Sequence, residues 1–275
     1  MNASHRAMTK RFLPIVICAL AAALSTVVST AQQFDDQAEQ QLVDMLNLER
    51  ARAGLPSLKV DDRLTQAARE HSVLMAKAKQ LSHLFPGEPP LPRRLAATNI
   101  RFNNDAENVA YDYTVQEAHE GLMQSPPHRA NILSAKYNTV GVGVLRSGDV
   151  FWVTQDFAHR LQEYSVDEAE NAILAGWQRE RQHANRPAAQ VVRIPQLRRM
   201  ACAMAQQGRL DTRAPLNLPD VQVAVVYTEP DPAKLAANAA KMAHEINITR
   251  VAVGACFADS EQYPAGTWWV AMVFL

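Results

Sequence analysis

Residues 125–145 read "SPPHRANILSAKYNTVGVGVL", and the order of features within them decides the fold. Pro126 and Pro127 end whatever helix precedes them, because the ring fixes φ and removes the amide hydrogen. His128 follows at once, presented by irregular backbone, and "TVGVGVL" is β-rich. Upstream, "TVQEAHEGLMQ" begins with Thr114 and has Glu117 three residues on, a capping-box pattern that opens a short helix. Downstream, "VFWVTQDFA" is a second β-rich run separated from the first by "RSGD", which predicts a hairpin with a four-residue connection. Helices followed by a terminal hairpin give an α+β unit that closes near Ala158.

Working back from that unit, residues 35–53 place Leu42, Met45, Leu46 and Ala53 on one face of an amphipathic helix. Gly54 follows as a left-handed cap, and Pro56 prevents continuation. Asp61 offers an N-cap oxygen to a second helix, whose stripe is Leu64, Ala67, Ala68, His71, Leu74, Met75 and Ala78. Residues 84–106, rich in Pro, Arg, Asn and Asp, read as a long connection.

The remainder repeats the plan. "ILAGWQRERQHANRPAAQVVRIPQLRRMACAMAQQGRL" runs parallel to "LVDMLNLERARAGLPSLKVDDRLTQAAREHSVLMAKAKQL", with Pro187 opposite Pro56, Leu197 opposite Leu64 and Met204 opposite His71. At the end, "VAVGACF" matches "VGVGVL", and "TWWVAMVFL" matches "VFWVTQDFA" with Trp269 opposite Trp152. Strand alternation then turns Trp268 outward. The expected division is therefore 1–31, 32–160 and 161–275.

The first of these segments has the layout of a secretory signal peptide. Charged "MNASHRAMTKR" precedes apolar "FLPIVICALAAALSTVV", and small residues precede a cut after Ala31. Pro14, Ser25 and Thr26 interrupt the apolar run, which favours export over a membrane anchor, and no later stretch could span a bilayer. Secretion, periplasmic or extracellular, is the expected destination. The formal net charge is zero, which gives no argument for nucleic acid or for an anionic membrane surface. Two cysteines remain after cleavage, Cys202 and Cys256. In an oxidising compartment a bridge between them is worth about 4 kcal/mol on the chain-entropy view; two unpaired buried thiols are the alternative.

Imidazoles concentrate in the first half, at His71, His83, His119, His128 and His159. His71 lies within its helix's apolar stripe and reads as a satisfied core residue, while His119, beside Glu117 and Glu120, fits a solvated polar face. His83, before the turn residues Pro86 and Gly87, and His128 are held on rigid, irregular backbone. Glu107 in "AENVAY" marks a similar transition. Two histidines and a glutamate form a ligand set suited to a divalent metal, although the long spacings match no local motif.

The blocks "LVDMLNLERARAGLPSLKVDDRLTQAAREHSVLMAKAKQLSH", "AENVA", "SPPHRANILSAKYNTVGVGV" and "FWVTQDFA" occur in order across residues 40–158. Together they resemble the CAP superfamily, the secreted domain of cysteine-rich secretory proteins, insect venom antigen 5 and plant pathogenesis-related proteins. The similarity is to the compact bacterial members, also called SCP-domain proteins. The resemblance implies an α-β-α sandwich with a central cavity lined by two histidines and two acidic residues. By motif these are His83, His128 and Glu107, with zinc or a similar dication held by His83 and His128 and Glu107 close by. Two departures stand out: Ala106 replaces the usual glycine before the glutamate, and the second acidic position is Ser125. Serine there is common in bacterial relatives, and Glu117 or Glu120 would have to supply a further carboxylate.

The second half does not keep these groups. "GRLDTR" stands opposite the His83 region, and an alanine-rich helix, "DPAKLAANAAKMAHEIN", opposite "SPPHRANIL". It reads as a degenerate CAP-like repeat. Three functions follow from the resemblance and the residues. The leading one is a secreted, non-enzymatic protein whose cavity binds a metal or small ligand and whose surface engages extracellular molecules. The second is a hydrolase, either with Ser125 as nucleophile, His128 as base and Glu107 as orienting acid, or with a metal-activated water and Glu107 as general base. The third is a cell-envelope interaction protein in which the tandem arrangement matters more than the cavity.

Overall fold

The computed structural model describes residues 34–275; the expected signal peptide at 1–31 lies outside them. The described chain is α+β, with two four-stranded mixed sheets built in the same way. In the N-terminal half the helices are α1 (Asp36–Arg52), α2 (Asp62–Ala78), α3 (Leu91–Ala97), α4 (Val115–Gln124) and α5 (Pro126–Ile132). Its strands are β1 (Lys59–Val60), β2 (Phe102–Asp112), β3 (Thr139–Ser147) and β4 (Val150–Arg160), in the order β1-β3-β4-β2. The C-terminal half has α6 (Val166–His183), α7 (Pro195–Gln207) and α8 (Ala237–Met242), with β5 (Gln190–Val191), β6 (Val223–Glu229), β7 (Arg250–Ala258) and β8 (Thr267–Phe274) in the order β5-β7-β8-β6.

Each sheet is covered on both faces. In the N-terminal half α1, α4 and α5 pack on one face, in a cluster containing Leu42, Leu46, Leu122, Ile132 and Phe157. Helix α2 packs on the other, where Leu64, Ala67 and Met75 are buried. Asp61 caps α2 as expected, accepting from the Arg63 amide at 3.0 Å. Close approach of α2 to the sheet needs glycine: a Cβ at Gly141 or Gly143 would collide with helix backbone at Leu64 and Thr65 or at Ala68 and Arg69. Gly254 meets Leu197 and Arg198 of α7 in the same way.

The duplication extends to buried polar contacts. Arg50 Nε donates to the Pro56 carbonyl at 2.9 Å, and Arg181 Nε to that of Pro187 at 2.9 Å. Both guanidiniums are buried and reach further carbonyls of distant loops, Ile132 and Ser134 for Arg50, Ala243, Glu245 and Ile248 for Arg181. Asn47 pairs twice with the backbone of Leu58, as Gln178 does with Ala189. Cys202 on α7 and Cys256 on β7 are joined in a disulfide with a Cα–Cα distance of 5.0 Å.

Several expectations need correction. The connection over 84–106 contains α3 and the start of β2. The prolines at 126 and 127 end α4 but also open α5, because the first helical turn requires no amide donor. His128 therefore sits in the first turn of a helix rather than on irregular backbone. The hairpin is tighter than expected: Ser147 pairs with Val150, leaving a two-residue turn at Gly148 (φ 64°) and Asp149. Only six residues of the alanine-rich stretch are helical. Trp268 is 1% exposed, not outward, because both faces of its sheet are covered. The register shifts the match of the tryptophans: Gly141 pairs with Asp156 and Gly254 with Ala271, which sets Trp269 opposite Thr154 rather than Trp152. His119 is buried, its helix face turned toward α1, so it is not part of a solvated face.

Candidate functional site

Four elements converge at one end of the N-terminal sheet. β2 supplies Glu107, directly opposite Asp156 on β4. The loop after α2 supplies His83 and Glu88, turned by Gly87 at φ 83°. α3 supplies Arg94, and α5 supplies His128. His83 Nδ1 lies 2.8 Å from Glu107 Oε1. The His83 and His128 rings face one another with centroids 6.4 Å apart. The structure thus brings all three sequence-selected residues together.

The groups that hold them were not visible from spacing. Arg94, almost fully buried, bridges two carboxylates: its Nη1 donates to Glu88 Oε1 at 3.0 Å and its Nη2 to Glu107 Oε2. His71 completes the network from beneath. One ring nitrogen lies 2.6 Å from Glu88 Oε1, and the other donates to the Ser82 carbonyl at 2.8 Å. Glu88 also accepts from Arg94 and from the Phe85 amide, so both of its oxygens act as acceptors. His71 thus has an oxygen facing each ring nitrogen. It is a satisfied core histidine, as expected, but its partners are those of the site. On the opposite face of β2, Asn108 donates to the His128 carbonyl at 3.1 Å and accepts from Asn131 at 2.9 Å, tying α5 to the sheet.

This arrangement sets the charges. Burial pushes the Glu107 carboxyl upward, but the His83 hydrogen bond and the Arg94 and His71 charges outweigh it and hold Glu107 below the usual carboxylate range. The hydrogen bond to Glu107 raises His83 above an ordinary histidine. His128 is lowered, by burial and then by the charge of His83. Asp156 is fully buried and its carboxyl is raised well above the usual range, first by burial and then by Glu107. An acid held toward its neutral form thus lies beside one held toward its ionised form.

The expected zinc or other divalent cation is not supported. Among the described residues no group of three or more His, Cys, Asp or Glu side chains is gathered so as to hold a metal ion. The physical reason is Arg94: a fixed guanidinium already neutralises Glu107, and His83 takes the other oxygen. Glu117 and Glu120 are exposed and do not reach in; Glu117 is engaged with Thr114 instead. Ser125 joins α4 to α5, and among the described residues no hydrogen bond links its hydroxyl to His128 or Glu107.

Among the described residues no helix is long and apolar enough to cross a membrane. In sequence, 130 residues, 47% of this chain, are 33% identical to a Bacillus subtilis (strain 168) protein named "Uncharacterized membrane protein YlbC", and cover 36% of it. A crystal structure of an extracellular protein containing a SCP domain from Bacillus anthracis str. Ames shows 30% identity over 45% of this chain and 41% of its own, with a TM-score of 0.42. The chain thus spans well under half the length of either relative. The crystal structure of Na-ASP-1 covers 90% of this chain and 91% of its own, with a TM-score of 0.50 and 11% identity, a likeness of fold alone. Residues 43–157 match the family model described as "CAP: Cysteine-rich secretory protein family". That segment, under half of the chain, is thus a match to the CAP family.

Proposed function

We propose that this is a secreted or envelope-exposed, non-enzymatic CAP protein. Its N-terminal unit, residues 32–160, binds an extracellular or cell-envelope ligand at His83, His128 and Glu107. The observation that carries this reading is the pair of imidazoles, one exposed and one half-buried, held 6.4 Å apart over a buried charge network. His83 keeps one ring nitrogen on Glu107 and turns the other side of the ring to solvent, where its side chain is 58% exposed. Held toward the charged state by Glu107, His83 offers a donor to an anionic or carbonyl oxygen, and His128, held toward the neutral state, offers an acceptor. A donor and an acceptor side by side suit a polar ligand carrying hydroxyl, amide and carboxylate groups, such as wall polymer. Residues 161–275 are read as a second CAP-like unit that kept the scaffold and lost the site. The repeated strand order and paired buried arginines support that division.

Co-sedimentation with purified cell-wall sacculi and, separately, with lipid vesicles tests the proposal. The wild-type protein is expected to sediment with sacculi, and a His83→Ala/His128→Ala variant to lose at least about tenfold in affinity, about 1.4 kcal/mol. Equal binding by both proteins would move the interaction off this site. Binding by neither to sacculi or vesicles would remove the envelope assignment.

A further inference from the structure

We propose that the turn joining β7 to β8, residues 259–266, positions Arg94, so that the C-terminal half holds together the charged network of the N-terminal half. Arg94 rides on α3, a seven-residue helix with no side-chain cap at its N-terminus. A helix that short does not sustain itself, so its place is set by packing. The packing is an apolar cluster in which Leu95 meets Leu64 and Ala67 of α2 together with Ile100, Phe102 and Ala158. Leu91 and Ala96 of α3 pack against it, and so does Ala265 from the β7–β8 turn. The seat of α3 is thus closed from the other half of the molecule.

The turn is rigid enough to serve as a stop. The Gly266 amide donates to the Tyr263 carbonyl at 2.9 Å, the Ser260 amide donates to the same carbonyl at 3.1 Å, and the Tyr263 amide donates to Ser260 Oγ at 3.1 Å. Gly266 has φ 80°, and a Cβ there would strike the Phe257 ring. The Tyr263 ring stands edge-on to Trp269 with centroids 6.4 Å apart, and its hydroxyl is 3.2 Å from Thr228 Oγ1. A second tie lies just beyond α3. The Arg101 guanidinium sits 3.9 Å from the Phe257 ring centroid and 6.0 Å from that of Trp268, and donates to the Tyr164 carbonyl at 3.5 Å. The Arg93–Glu261 pair, at 3.7 Å and with Glu261 98% exposed, adds little.

If α3 shifts, Arg94 leaves Glu88 and Glu107, and two buried carboxylates, one of them opposite Asp156, lose their shared cation. Glu107 would then move, and His83 with it. This inference concerns how the site is held and does not depend on which ligand the site takes.

Hydrogen exchange by mass spectrometry, with imidazole NMR titration, tests it on the full described chain carrying Ala265→Asp. The expected result is exchange over 91–97 faster by roughly tenfold or more, exchange in α1 and α6 unchanged, and a His83 titration that falls toward the ordinary histidine value. Ala265→Ser is expected to behave as wild type. A folded Ala265→Asp variant with α3 exchange and His83 titration unchanged would overturn the proposal, as would acceleration spread equally over every element. Should Ala265→Asp not fold, Arg101→Gln carries the same readouts: the same local acceleration is expected, and the same unchanged or uniform exchange would overturn the proposal. Failure of the wild-type protein to bind sacculi leaves all of these readouts where they are.

Discussion

The helix that packs on Gly141 carries His71 toward its sheet; the helix that packs on Gly254 carries Met204 to the same place. The register extends the comparison. Glu107 faces Asp156 across β2 and β4, whereas Val226 faces Ala271 across β6 and β8. Thr154 corresponds to Trp269. Met204, Val226, Trp269 and Ala271 all belong to one apolar cluster. One scaffold thus carries a buried ion network in one half and a hydrocarbon core in the other.

The difference bears on function because buried ion networks are poor stabilisers. Desolvation of the charges consumes most of their attraction, and apolar side chains of similar volume hold a fold as well or better. The C-terminal half demonstrates the apolar solution on this very framework. Retaining His71, Glu88, Arg94, Glu107 and Asp156 in the N-terminal half is therefore not explained by stability. A second contrast lies beside the first. Where Gly143 presses on α2 at Arg69, the C-terminal half has Cys256 bonded to Cys202. Both halves tie this helix to the preceding one by charge, Arg69 to Asp36 and Glu39 and Arg198 to Asp167 and Glu170, so the disulfide is a covalent tie from helix to sheet that the C-terminal half adds.

Introducing the C-terminal solution piecemeal should be costly. Glu107→Val strands Arg94 without one of its two carboxylates and is expected to lose about 3–5 kcal/mol in urea unfolding. Replacing the whole network, with His71→Met, Glu88→Gln, Arg94→Met, Glu107→Val and Asp156→Ala together, is expected to recover to within about 2 kcal/mol of wild type. A loss in the fivefold variant as large as the sum of its parts would mean the halves do not share one scaffold.

Cutting the covalent tie comes next. Cys202→Ser/Cys256→Ser opens a loop with a sequence separation of 54 and is expected to lose about 4 kcal/mol by the same measurement. Little or no loss would put the strength of the α7–sheet contact in packing alone.

The acid beneath the site gives a smaller effect with a definite sign. Asp156 is raised in the folded state, so its contribution is complete below the unfolded carboxyl value and is lost as pH rises through the folded value. Asp156→Asn should therefore lose less stability than wild type as pH rises above the ordinary carboxylate range. Parallel pH profiles for the two proteins would place the proton elsewhere. Smallest is a spectroscopic shift. His83 is expected to titrate above His128, and Glu107→Gln to bring His83 down. The stabilisation of charged His83 is present below the ordinary histidine range and is lost as pH rises through its elevated folded value. Titration of the two imidazoles in the opposite order would break the electrostatic description.

Much of this was legible in the residues. Apolar stripes at spacings of three and four, Gly54 as a left-handed cap and Asp61 as an N-cap gave α1 and α2, and the shared pattern exposed the second half. Proline misled twice: at 126–127 the residues that end one helix also open another, and at 89–92 a proline-rich stretch that read as connection opens α3. Trp268 misled because alternation assumes one wet face, and β8 has none. His83, His128 and Glu107 do lie close together, but the groups that hold them were not legible. Arg94 and Glu88 lie in a stretch that read as connection, and no spacing predicts that a buried arginine bridges residues 88 and 107. The available signal was the arginine pair Arg93 and Arg94, set in the polar stretch between His83 and Glu107. It pointed away from a metal.

Imidazole chemical shifts of the full described chain, followed while soluble cell-wall fragments are added, test the central claim most directly. Saturable shifts at His83 and His128, with His183 and His244 of the C-terminal half unmoved and the response absent in Glu107→Gln, are the expected result. Shifts confined to the C-terminal half, or none anywhere at saturating fragment, would contradict a binding site in the half that kept its charges.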